Sequence, residues 1–256
     1  MSEFPIGIFD SGVGGLSILK EINRFLPHEN LIYFSDNLNS PYGNKSSEEL
    51  DKICFNNSSF LINKKCKLIV VACNTATTNC IKKLRSNFDL PFIGVEPAIK
   101  PASKKTKTGK IGVLATQGTL NSQQFTDTSE IHTKNVKVIE ENAKGLVELV
   151  ERGTLKGENL NLILRKHLDP MIEIGIDQLV LGCTHFPLVV NEIKKIIPKE
   201  INVLDSSKAV AKHTKNILKQ NNLINNEGTG DIIFYCNGPT KSLNKILNYN
   251  FEIIPI

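Results

Sequence analysis

Nowhere in its 256 residues does the chain carry an apolar run long enough to cross a bilayer. Its first residues pass from Met1 through Glu3 into Pro5-Ile6-Gly7-Ile8-Phe9, without the basic start and long apolar stretch of a secretory signal. These absences predict a cytoplasmic protein with no membrane partner. The six cysteines, Cys54, Cys66, Cys73, Cys80, Cys183 and Cys236, show none of the short paired spacings that zinc sites use. In a reducing compartment they build no disulfide framework either. No metal is therefore expected, and a cysteine with a special role should act as a thiol. A strong excess of one charge is missing too: the formal net charge is only +5, and the lysines are scattered. The densest basic stretch, Lys104 to Lys110, is broken by Thr106, Thr108 and Gly109 and has no interleaved aromatic ring. That predicts a solvated loop and no nucleic-acid partner.

What is present is an ordinary globular composition, 40% hydrophobic and 22% charged. The length fits one large domain or two small ones. Residues 5–9, 31–34, 67–72, 92–95, 110–114, 136–139, 177–181, 201–204 and 231–235 read as strands. Leu16 to Leu26, Glu48 to Ile62 and Thr75 to Phe88 carry apolar residues at helical spacing, and Ser46 with Glu49 forms a capping box for the second. Strands alternating with helices predict the α/β class, with parallel sheets covered on both faces.

The two halves echo each other. Ile6-Gly7-Ile8-Phe9-Asp10-Ser11-Gly12 resembles Ile111-Gly112-Val113-Leu114-Ala115-Thr116-Gln117-Gly118. Likewise Leu68-Ile69-Val70-Val71-Ala72-Cys73-Asn74-Thr75 resembles Gln178-Leu179-Val180-Leu181-Gly182-Cys183-Thr184-His185. Two echoes in the same order predict two related parallel-sheet α/β domains facing each other across a central cleft. The expected division is 1–97 plus 207–256 for the first domain and 98–206 for the second. Ligands of such sheets bind beyond the carboxyl ends of the strands.

Both echoed cysteines sit there. Alone, each would read as a small buried hydrophobe. As a pair at equivalent strand ends, each followed by hydrogen-bonding residues, they read as two thiols flanking one bound molecule. A helix N-terminus should favour the thiolate of Cys73, which precedes Asn74-Thr75-Ala76-Thr77-Thr78. Two opposed thiols suit removal of a proton from one face of a carbon and delivery to the other. Cys183 with His185 could also form a hydrolytic pair, which leaves Cys73 unexplained. The glycines of Asp10-Ser11-Gly12-Val13-Gly14-Gly15 allow close approach of a ligand, and N–H groups there can hold an anion. Asp10 could orient Cys73 or meet a substrate ammonium. Ser17 stands where a dinucleotide fingerprint needs its third glycine, and Asp36 only mimics the ribose acid. In Asp36 to Gly43, the N–H groups around Pro41, Tyr42 and Gly43 and the Ser40 hydroxyl could bind a carboxylate. Thr116 and Thr119 are expected to line the same cleft. Spacing alone leaves Glu151 on a solvated helix face.

These segments together resemble the glutamate racemases, bacterial enzymes that supply D-glutamate for peptidoglycan. The resemblance runs from Ile6 to at least Asp205. It rests on Asp10 to Ser17, Pro41-Tyr42-Gly43, Ala72 to Ala76, Gly94 to Ala98, Ala115 to Thr119 and Leu181 to Leu188. It implies a homodimer without pyridoxal phosphate, other cofactor or metal. It implies that Cys73 serves the D-glutamate side and Cys183 the L-glutamate side. Asp10-Ser11, Tyr42-Gly43, Asn74-Thr75 and Thr184-His185 match positions that hold substrate. Asp10 would assist Cys73, and the Glu151–His185 pair would assist Cys183. Competing readings are a racemase or decarboxylase of another small acid such as aspartate, a non-catalytic amino-acid-binding protein, and a nicotinamide-dependent dehydrogenase.

Overall fold

A computed structural model describes residues 2–256. In chain order its strands are β1 (Ile6–Asp10), β2 (Leu31–Ser35), β3 (Leu68–Val71), β4 (Phe92–Gly94), β5 (Lys110–Ala115), β6 (Lys137–Asn142), β7 (Gln178–Leu181), β8 (Asn202–Leu204), β9 (Ile232–Cys236) and β10 (Ile253–Pro255). They form two sheets, ordered β10-β9-β2-β1-β3-β4 and β6-β5-β7-β8, with every neighbouring pair parallel. The order β2-β1-β3-β4 repeats in β6-β5-β7-β8, so the sequence echo is a repeat of topology. Gly7 pairs with Ile69 in the first sheet and Gly112 with Leu179 in the second. Strands β9 and β10 extend the first sheet beyond this shared plan.

Each of the nine expected strands is present. The tenth, β10, has three residues at a sheet edge and ends in proline, too short for an alternating pattern to register. The central strands are buried throughout, as parallel strands covered on both faces must be. Successive side chains part to opposite faces. Ile8, Tyr33 and Val70 join an apolar cluster that runs on into Leu114 and Leu181 of the second sheet. Phe9, Phe34 and Val71 turn instead toward helices Ser47–Asn63 and Asn74–Asn87. Ile111, Val113 and Val180 pack on helix Ile99–Lys105. Helix Ser207–Gln220 returns to the first sheet and lies against helix Leu16–Phe25.

Local signals fold as their chemistry dictates. Ser46 caps its helix by accepting from the Glu49 N–H (3.3 Å), while the Glu49 carboxylate accepts from the Ser46 N–H (2.9 Å). The stretch Lys104 to Lys110, expected as one loop, is a loop only over 106–109, because Lys104 and Lys105 end helix Ile99–Lys105 and Lys110 opens β5. Asp177 anchors it, accepting from the Thr106 hydroxyl (2.6 Å) and the Lys107 N–H (2.5 Å). Among the described residues no helix is long and apolar enough to cross a membrane.

Candidate active site

The register places the two thiols at matching points. Val71 pairs with Phe9 and Leu181 with Leu114, and each cysteine follows its strand end by two residues. Between them lies a narrow cavity. The first sheet's strand ends and loops line it with Ser11, Pro41, Tyr42, Gly43, Cys73, Asn74 and Thr75; the second contributes Thr116, Val147, Cys183, Thr184 and His185. A larger groove, where Glu96, Pro97, Asp205 and Ser206 cross between the sheets, holds neither thiol. Of the expected site residues, Asp10, Thr119 and Glu151 are absent from the lining and stand directly behind it. Val147 lines the cavity although nothing in its sequence context marks it. It looks like one more apolar residue of the short helix Leu146–Glu151.

On the Cys183 side the groups form a chain. Cys183 Sγ lies 3.6 Å from His185 Nδ1, and His185 Nε2 makes a short hydrogen bond to Glu151 Oε1. The same carboxylate oxygen accepts from the Val13 N–H at 2.9 Å, reaching across from the first sheet. His185 is fully buried. Burial opposes its charged form, but the Glu151 carboxylate and the Cys183 sulfur prevail and hold the imidazole pKa well above its usual value. Glu151 is thus no solvated face residue, which spacing alone had favoured: its partners are 138 and 34 positions away, beyond the reach of any helical pattern.

The Cys73 side is built differently. Cys73 caps helix Asn74–Asn87 directly, whereas Cys183 is separated by Thr184 and His185 from a single 3-10 turn, Phe186–Val189. A lowered Cys73 pKa is expected from the helix dipole, and the structure reverses it. Burial and the nearby Asp10 charge push the thiol well above its ordinary value, against the Ala76 N–H and the Ser11 hydroxyl, which favour the thiolate. Asp10 itself has no solvent exposure. Its Oδ2 accepts from the Gly15 N–H (2.6 Å) and the Thr184 hydroxyl (3.4 Å), while Oδ1 has no partner. Burial raises its pKa from 3.8 to about 6, against His185 and the loop N–H groups, which pull it down.

The glycine-rich loop does hold anions, but they are the protein's own. Gly15 N–H binds Asp10 and Val13 N–H binds Glu151. In the loop after β2, Asp36 is buried and occupied: it accepts from the Tyr42 hydroxyl, from Asn57 (3.1 Å), from Asn39 (2.8 Å) and from Asn237 (2.5 Å). It is therefore not free for a ribose, and the Tyr42 hydroxyl is committed to Asp36 and Asn57, while Pro41, Tyr42 and Gly43 line the cavity. Ser40, expected to bind a carboxylate, does not line the cavity; its hydroxyl is buried without a hydrogen-bond partner, and the residue borders an adjoining groove with Pro239 and Ser242. Thr75, Thr116 and Thr119 form a triangle of hydroxyls 2.8 to 3.2 Å apart that joins the two halves. Among the described residues no cluster of three or more histidine, cysteine or acidic side chains is placed to hold a metal ion.

The Asp/Glu/Hydantoin racemase family profile matches residues 6–214 of this chain. The chain belongs to that family. A glutamate racemase of Stutzerimonas stutzeri is 41% identical over 246 residues, 95% of this chain and 92% of the relative. Among solved structures of the family, Escherichia coli glutamate racemase in complex with L-glutamate and the activator UDP-MurNAc-Ala superposes with a TM-score of 0.88 at 33% identity, covering 98% of this chain and 97% of the other. The Francisella tularensis glutamate racemase in complex with D-glutamate gives 0.86 at 28% identity, covering 100% and 98%. Like these relatives, this member of the racemase family is an amino-acid racemase, an isomerase.

Proposed function

We propose that the chain interconverts L- and D-glutamate without a cofactor, by proton transfer between Cys73 and Cys183 on opposite faces of the substrate. The observation that carries this reading is that both thiols, from equivalent strand ends of two sheets, open into one narrow cavity. Family members that hold L-glutamate and D-glutamate support glutamate as the molecule between them. One thiolate takes the α-proton and becomes a thiol, leaving the electron pair on the α-carbon. The facing thiol gives its proton to the opposite face of that carbon and becomes the thiolate. One proton and one negative charge have then changed sides.

The surrounding groups make this step accessible. The N–H and hydroxyl groups of Asn74-Thr75, Tyr42-Gly43 and Thr184-His185 hold the substrate carboxylates and stabilise the charge that develops beside them. Thr116 and Thr119 buttress Thr75, and Ser11 meets the ammonium, with the Asp10 carboxyl behind it. On one side the Glu151–His185 pair exchanges a proton with Cys183. On the other Asp10, poised near neutrality, exchanges one with Cys73. In this reading residues 1–97 plus 207–256 form the first domain and 98–206 the second. The protein works as a cytoplasmic homodimer that supplies D-glutamate for peptidoglycan, and so for cell-wall growth and cell shape.

Incubation with L-glutamate in heavy water, followed by polarimetry and by NMR of the α-proton, tests the reading. Loss of rotation with deuterium incorporation is expected. No exchange at high enzyme concentration overturns it, and exchange with aspartate alone moves the substrate to the neighbouring branch of the family.

A further inference from the structure

The loop Ser11 to Gly15 contains three glycines whose backbone does not need them. None of Gly12, Gly14 and Gly15 has the left-handed φ that excludes other residues. What excludes a side chain at two of them is the other half of the molecule. A Cβ on Gly12 would overlap the Glu151 carboxylate, with Oε2 only 2.7 Å away. A Cβ on Gly14 would lie 2.5 Å from His185 Nδ1 and 2.6 Å from the Thr184 hydroxyl. Real Cβ atoms essentially never approach a neighbour closer than 3.0 Å. Between the two glycines, the Val13 N–H donates to the Glu151 oxygen that also binds His185.

We propose that Gly12 and Gly14 are positioning residues: their missing side chains form a socket that seats the Glu151–His185 pair against Cys183. The proposal rests on the two-thiol reading of the site. It adds that the first sheet's helix-start loop sets the geometry of the second sheet's proton relay. The Glu151 carboxylate is fixed from three directions, by the Val13 N–H, the His185 ring and the bare Cα of Gly12. A methyl at position 12 leaves it no room to retreat without giving up one of its two hydrogen bonds. A methyl at position 14 displaces the ring nitrogen that faces Cys183.

The test is a double-mutant cycle of Gly12→Ala with Glu151→Ala. Gly12→Ala alone is expected to lower kcat/KM at least about tenfold, with kcat carrying most of the loss. Added to Glu151→Ala it should change kcat/KM by less than about twofold, because the carboxylate it collides with is gone. Thermal unfolding of the same four proteins needs no substrate, and should show the Gly12→Ala penalty shrinking in the Glu151→Ala background. Gly112→Ala, whose Cβ would press on Ile176 and Met171 instead, is the control and should cost the same in both backgrounds. Equal Gly12→Ala penalties with and without Glu151 overturn the socket. Should Gly12→Ala fail to fold, folding of the double variant supports the proposal and its failure to fold overturns it. If the parent protein shows no exchange with glutamate, the functional reading fails, while the unfolding cycle still decides the socket.

Discussion

Replacing Asp10 by asparagine should make the protein more stable at neutral pH while disabling it. Asp10 is fully buried, and its folded pKa of about 6 lies above the ordinary 3.8. Between those values the folded state holds a proton that the unfolded chain has released, so stability falls as pH rises. The stabilising contribution is complete below 3.8 and lost as pH passes through about 6. The interval is about 2.2 on the pH scale, and at about 1.36 kcal/mol per decade the loss is on the order of 3 kcal/mol. No discount for solvent applies, because the carboxyl is fully buried. An asparagine oxygen can still accept from Gly15 N–H and from Thr184, so the local fold survives. For 256 residues the unfolding entropy is about 0.54 kcal/mol/K, which converts the difference to a Tm gain of about 6 °C at pH 8. At pH 4 the gain should vanish. Calorimetric or fluorescence melts of both proteins from pH 4 to pH 8 give the curve, and racemisation should fall about a hundredfold with loss of the general base. A Tm difference that does not vary with pH would refute the reasoning. It would mean that the Asp10 charge is compensated in the fold and carries no proton near neutrality.

Other perturbations separate the remaining groups. Cys73→Ser and Cys183→Ser should each reduce racemisation at least about a hundredfold, measured by polarimetry; near-normal turnover in either would remove the thiol pair as the engine. Glu151→Gln removes the charge that holds the His185 pKa up. The pH limb on which the imidazolium loses its proton should therefore move to lower pH in kcat/KM profiles, and an unmoved limb would separate Glu151 from His185. Thr116→Val deletes one corner of the hydroxyl triangle beside Thr75. Steady-state kinetics should show KM rising by about fivefold for the loss of roughly 1 kcal/mol of hydrogen bonding, with kcat little changed. Ser46→Ala should cost about 1 kcal/mol, or about 2 °C in Tm, and leave turnover alone, since the cap is remote from the cleft.

The fold was legible because parallel strands buried on both faces are short apolar runs, and the helices between them carry periodic faces. Ile6 to Phe9 and Leu68 to Val71 could hardly be anything else. The thiol pair was legible because the chain contains the same strand-and-cysteine unit twice, and pairing Val71 with Phe9 and Leu181 with Leu114 repeats the geometry around it. What periodicity cannot carry is a contact between distant residues. Glu151 has the spacing of a surface acid, and only the fold brings Val13 and His185 to it. Val147 has the spacing of a core residue, and only the fold leaves one side of it open to the cavity. The direction of the Cys73 shift was invisible for a related reason. A helix start is written in the local sequence, but depth of burial and the approach of Asp10 are not.

That reversal at Cys73 bears on how the pair works. Were both thiols readily ionised, the closed cleft would hold two thiolates and have no acid to complete an inversion. Were both strongly protonated, it would have no base. The two sides are instead supported by unlike groups: a buried carboxyl near neutrality beside Cys73, and an imidazole held up by a carboxylate beside Cys183. An imidazole stabilised as the cation favours an adjacent thiolate, because opposite charges in a water-poor cleft attract. An ionised carboxylate disfavours one. Burial and the Asp10 charge should therefore keep the proton on Cys73 in the empty site, where reaction of the L-enantiomer needs its acid. The reverse reaction requires Asp10 to take up a proton so that Cys73 can release its own. Turnover at saturating D-glutamate should then depend on pH near 6 more steeply than turnover at saturating L-glutamate. Progress curves from each enantiomer across pH 5 to 8 read this directly, and superimposable kcat profiles from both directions would refute a distinct role for Asp10 on the Cys73 side.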